Sequence, residues 1–272
     1  MHRALIISLS IILLIVATGC VPILSNTQSL QLTGSGKLVT QDFTFDSADR
    51  LLAASNYQVK MNPGESITVK VTTDDNLLPY VYVHVSNGEL RLELKPGRAY
   101  DMDKVTMKAE VSMPTPSSVT LQGNATSDLG QVLASEMALR LSGNGIVTGE
   151  GISSARMSLT SGGNGQAKLS GAVAELKVDG RGNTIVACPE LQAHTADITL
   201  RENGMAALHV TDKLDYNLSG NASLLYSGNP QLGQQQRSEN ATVREKWGFN
   251  SIKRLPLACQ PYNPVRVRRA RQ

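Results

Sequence analysis

Apolar and polar residues alternate along most of this chain, first in long runs and then in short pairs. In "YQVKMNPGESITVKVTT" the apolar set is Val59 and Met61, then Ile67, Val69 and Val71 beyond the turn Asn62 to Glu65. In "YVYVHVSNGELRLELKPG" it is Val81, Val83 and Val85, then Leu90, Leu92 and Leu94 after Asn87-Gly88. A period of two places every second side chain on one face of a strand, so both stretches predict β-strands. Asn-Gly between two such runs predicts a tight hairpin, because both turn residues must accept positive φ. "KVTMKAEVSMP" adds a further strand before Pro114 and Pro116.

From about residue 117 the alternation shortens to pairs, each followed by a Gly-Asn type turn. The pairs are Val119/Leu121, Leu139/Leu141, Met157/Leu159, Leu176/Val178, Ile198/Leu200 and Tyr216/Leu218. The turns carry Asn124, Asn144, Asn164, Asn183, Asn203 and Asn221, separated by 20, 20, 19, 20 and 18 residues. Repetition at this period predicts a solenoid, in which each coil buries its apolar face only against its neighbours. The corners need positive φ, which Gly accepts freely and Asn better than most residues. Stacked Asn side chains can also hydrogen-bond from coil to coil. With one strand spacing of about 4.8 Å per coil, six corners give a stack about 24 Å tall. The alternating region before it is expected to cap the open edge of the stack. The fold class is therefore all-β, a β-solenoid of about twenty residues per coil preceded by a strand and hairpin region.

Composition thins the expected core. Aromatic residues make up 4% of the 272, with three Phe and one Trp, against 41% hydrophobic residues overall. Leu, Val, Ile, Met and Ala must fill the interior. The chain is +3 overall, and residues 231 to 272 alone hold nine basic and two acidic side chains, so the excess lies in the tail.

The N-terminus, "MHRALIISLSIILLIVATGC", has a short basic start, an apolar run from Ala4 to Ala17 and then Thr18-Gly19-Cys20. The run is short for a membrane span and reads as an export signal. Small residues directly before a Cys resemble a bacterial lipobox, with Ala17 where Leu is usual. That resemblance implies lipidation at Cys20. The expected organisation is a lipoprotein signal peptide at 1–19, a tether at 20–40, an N-terminal β region at 41–116, the repeat solenoid at 117–231 and a basic tail at 232–272. Cys188 and Cys259, in an oxidising compartment, can pair as a disulfide or remain two thiols, Cys188 filling a core position.

Candidate chemistry is sparse. "GSGKL" at Gly34 to Leu38 glances at a phosphate loop, but Gln31 stands where the first Gly belongs and Leu38 where Ser or Thr belongs. No nucleophile elbow or zinc-spaced His and Cys set occurs. The repeats lack an acidic calcium turn, and Asp74-Asp75 reads as solvated loop charge. Aligning the coils by their corners gives no lateral cluster of carboxylates with cationic helpers, which a polysaccharide-cleaving β-helix would need. No catalytic residue, cofactor or metal site is expected.

The segment from Gly34 to Gly97, with its "DDNLL" and "NGELRLEL", followed by serial "LSGNG" turns, resembles the bacterial head GIN domain, an autotransporter adhesin head. The resemblance covers about Gly34 to Gln231. It implies a right-handed β-helix-like fold on an exported, frequently lipid-anchored bacterial protein. Val21 stands after the Cys where an Asp often retains lipoproteins in an inner membrane, so the expected location is the cell envelope at an outer membrane or outer cell surface. The function expected is adhesion or ligand binding without catalysis. The partners expected are the membrane through the lipid, and a cell-surface glycan or envelope protein. A structural module of the envelope is the alternative, and a carbohydrate-active enzyme is a third class. Nucleic acid is not an expected partner, although the Arg-rich tail could attract anions by charge alone.

Overall fold

A computed structural model describes residues 31–245. The signal peptide, Cys20 and most of the basic tail, with Cys259, lie outside the described residues. The N-terminal region holds β1 (Leu38–Phe45), β2 (Arg50–Ala53), β3 (Gln58–Pro63), β4 (Ile67–Asp74), β5 (Val81–Ser86), β6 (Glu89–Leu94) and β7 (Met107–Met113). Then come β8 (Ser118–Gly123), β9 (Thr126–Asp128), β10 (Val132–Gly143), β11 (Ile146–Gly163), β12 (Gln166–Gly182), β13 (Ile185–Leu200) and β14 (Met205–Leu218). The stack closes with β15 (Ser223–Ser227), β16 (Gln231–Arg237) and β17 (Thr242–Glu245).

The body is the expected β-solenoid. β8, β10, β11, β12, β13 and β14 pair in parallel, each with the next, about one coil of sequence apart. Within a coil the strand runs from the Asn corner, bends near a second glycine such as Gly151 at φ 70°, and continues to the next corner. Leu139, Leu159, Val178, Ile198 and Tyr216 are register partners, all buried, and form one apolar column through five coils. Each such side chain contributes about 1.5–3 kcal/mol on full burial. The polar residues between them face outward, which is why the pairs alternate.

The N-terminal region caps this stack by a path that sequence order does not follow. β2 lies between β6 and β8, and β3 lies between β7 and β9, all in parallel. The coil β6/β7 therefore sits further out than β2/β3, although it comes later in the chain. Antiparallel strands finish the end: β4 covers β7 and β1 covers β4 on one side, and β5 covers β6 on the other. The Asn87-Gly88 hairpin forms, with φ of 50° and 76°. The turn at Asn62 to Glu65 joins strands that are not neighbours, because β7 lies between β3 and β4.

Candidate functional site

The corners stack into one continuous ladder. Each corner Asn donates its Nδ2–H to the Oδ1 of the Asn one coil nearer the N-terminal end, from Asn240 to Asn221, Asn203, Asn183, Asn164, Asn144, Asn124 and Asn56, at 2.7 to 3.1 Å. Asn56 in turn donates to the carbonyl of Met102. The ladder has eight rungs where the period predicts six: Asn56 and Asn240 extend it at the two ends. The backbone N–H of each rung from Asn124 on also donates to the carbonyl of the residue before the preceding rung, as Asn164 does to Gly143 at 2.7 Å. Eight rungs spaced by about 4.8 Å make a wall about 34 Å long.

The residue before each rung is left-handed, which explains the glycines. Gly123, Gly143, Gly163, Gly182 and Gly220 have φ between 71° and 99°, and Ser55, Glu202 and Glu239 take the same position at φ 62°, 62° and 61°. A Cβ at Gly163 would lie 2.8 Å from the carbonyl oxygen of Gly143. The irregular "LRENG" corner therefore keeps its rung, with Glu202 carrying the strain that Gly avoids.

Beside the ladder, the long outer segment of each coil forms a lateral face that holds a groove of about 570 Å³. Counting back eight residues from successive rungs gives Glu136, Arg156, Glu175, Thr195 and Lys213, which are register partners down the face. Counting back six gives Lys177, Asp197 and Asp215, the adjacent column. These charges line the groove over the apolar Met137, Met157, Leu176 and Ala196. The expectation that no lateral carboxylate cluster exists is thus corrected: Glu136, Glu175, Asp197 and Asp215 share one face with Arg156, Lys177 and Lys213. Offsets of eight and six residues from the corner Asn are the sequence signal that locates them.

The cluster is internally paired and wet. Arg156 bridges Glu136 and, at 3.4 Å, Glu175; Lys177 lies 3.8 Å from Asp197; Lys213 lies 2.7 Å from Asp215. The Arg156 and Glu175 side chains are 64% and 62% exposed. The Lys213 ammonium and then the backbone N–H of Gln234 hold the Asp215 carboxyl below the usual carboxylate range. Catalytic carboxylic acids are commonly tuned the other way, towards neutrality by burial. This face offers exposed charges and hydrogen-bonding groups.

The other singled-out residues fall elsewhere. Asp74, expected as solvated charge, is buried: it accepts from the N–H of Gly36 at 2.7 Å and of Thr106 at 2.8 Å. Asn76 and Asp75 accept from Ser35, so the Gly34 to Lys37 loop is clamped by its own chain rather than cradling a phosphate. Cys188 is buried, its thiol against the Ala167 carbonyl, and burial pushes its pKa up to about 12. Among the described residues no three His, Cys, Asp or Glu side chains gather as metal ligands.

A short β-solenoid with a corner Asn ladder, an antiparallel cap and a charged lateral face defines a class of surface-presenting repeat domain. The chain matches the family described as "Putative auto-transporter adhesin, head GIN domain" over residues 49–230, and belongs to it. No curated protein matches it. Among solved structures it is similar to a "putative adhesin" from Bacteroides fragilis, at 19% identity and TM-score 0.73, covering 79% of this chain and 100% of that one. It is also similar to a "putative adhesin" from Parabacteroides merdae (20% identity, TM-score 0.62, 80% and 99% covered). A third is a "Putative lipid binding protein" from Parabacteroides distasonis (17%, 0.62, 80% and 100%). At these identities the likeness is one of fold.

Proposed function

We propose that this protein is a non-catalytic adhesin head of the bacterial cell envelope, held to a membrane by lipid on Cys20, and that it grips a glycan or protein surface with the groove-bearing lateral face. The observation that carries the reading is the pair of charged columns: Glu136, Arg156, Glu175 and Lys213 in one and Lys177, Asp197 and Asp215 in the other intersperse acids and bases over five coils, an area broad enough for an extended ligand. Family membership points the same way. A ligand that exchanges its own hydrogen bonds for these exposed ion pairs loses little desolvation energy, since exposed pairs are worth only about 0–1 kcal/mol each. The charged rim favours polar polymers over acyl chains, so lipid, the ligand class named for the Parabacteroides distasonis neighbour, is the weaker candidate here.

The test is an array of glycans, matrix proteins and whole cells probed with the protein at low and high salt. Saturable binding that weakens as salt screens the face supports the reading. No binding to any surface overturns it. Labelling of Cys20 with a radioactive acyl chain in cells, lost in Cys20→Ser, tests the anchor separately.

A further inference from the structure

We propose that the head pairs tip to tip with a second copy of this chain through the outer edge of β5. Among the described strands the one pairing register of β5 is with β6, unbroken over six residues. Among the described residues nothing pairs with its other edge, which offers a row of N–H and C=O groups. Edge strands ordinarily carry lysine, proline or a bulge against such pairing, and Val81–Ser86 has none of these. The other strands that end the stack are guarded: Asp42 lies in the middle of β1, β16 has a register break opposite Leu214 to Tyr216 and ends on Arg237, and β17 holds Arg244 and Glu245.

The strand is chemically symmetric about Val83. In an antiparallel pair centred there, Val83 meets the partner's Val83, Val81 meets the partner's Val85, and Tyr82 meets the partner's His84. Val83 and Val85 are half-buried against the core, because the apolar interior ends at this strand. A second β5 extends that column. On the outer face Tyr82 is 43% exposed and stacks on His84 with ring centroids 4.0 Å apart, so pairing sets two aromatic stacks side by side. No Asp, Glu, Lys or Arg lies on β5, so no like charges oppose each other. Two heads on one particle would raise avidity for a repetitive surface without any new contact to ligand, although the pairing itself does not depend on the adhesion reading.

The test is the protein mass of the full chain in mild detergent, by light scattering over a dilution series. The wild type is expected at twice the monomer mass. Tyr82→Lys with His84→Lys places lysines opposite each other across the pair and is expected at monomer mass, with an unchanged β circular dichroism spectrum. Tyr82→Glu with His84→Lys sets each glutamate against a partner lysine and is expected to restore the dimer. A wild type that is monomeric throughout overturns the proposal. So does a lysine pair that remains dimeric, or a Glu/Lys pair that stays monomeric while folded.

Discussion

The body and the cap of this molecule use the same strands and the same inward Leu, Val and Met, yet they are ordered by different rules. In the body each coil lies on the coil that precedes it in sequence, so the corner bonds repeat at 18 to 20 residues and one Asn position serves them all. In the cap the chain leaves β3, runs out through β4, turns at β5 and β6, and returns by β7 before the body begins. The bond from Asn124 to Asn56 therefore spans 68 residues. Repetition gives the body many weak, equivalent supports, whereas the cap depends on a few specific ones such as Asp74.

Substitutions separate the two regimes. The largest effect is expected in the body at Gly163, where φ is 99° and a Cβ meets the Gly143 carbonyl oxygen. Gly163→Val should cost about 3 kcal/mol or more, lowering the melting temperature by about 6–12 °C in calorimetry. In the cap, Asp74→Ala leaves two backbone donors without their acceptor and should cost about 1–3 kcal/mol. Hydrogen exchange should quicken in β1 and β4 while β11 to β13 stay protected. Equal loosening of the body would show that cap and coils are not separable in this way.

Smaller effects are expected along the ladder. Asn164→Ala removes two side-chain bonds and should cost about 1 kcal/mol, and Asn240→Ala, which removes one at the open end, about half as much. Equal costs at the middle and the end would argue against a ladder of independent rungs. The acid response comes from the exposed carboxylates. Asp75 is held below the usual range first by the Ser35 hydroxyl and then by Lys37, Asp212 by Thr211 and His194, and Asp215 by Lys213. A carboxyl depressed in the folded state stabilises it above the unfolded pKa, and that support is lost as pH falls through the folded value. The melting temperature should therefore be flat from pH 7 to about 5 and fall below about pH 4, with the fall reduced in Asp75→Asn.

The difference between the regions also decides what could be read from the residues alone. Six rungs follow from the period, and the Asn87-Gly88 hairpin follows from turn chemistry, because both are local. Asn240 lies 19 residues past Asn221 and obeys the same period; its Ser-Glu neighbours disguised it. Asn56 could not be found that way, since the inserted strands β4 to β7 break the spacing. Asp74 looked solvated for a similar reason: what buries it is the loop at Gly34 to Lys37, about forty residues earlier in the chain. The charges of the lateral face lay at fixed offsets from the corners. They had to be counted in columns rather than along the strand to become visible.

The central claim is that the charged lateral face, and not the solenoid at large, does the binding. It is tested most directly by comparing the adhesion of cells or glycan-coated beads to the wild type, to the triple variant Arg156→Glu, Lys177→Glu, Lys213→Glu, and to Lys168→Glu, an exposed charge on the segment that follows the Asn corner. The triple variant should lose at least about tenfold in binding, equivalent to about 1.4 kcal/mol, while Lys168→Glu binds as the wild type does. Equal binding by all three proteins would contradict the claim and move the ligand to another part of the molecule.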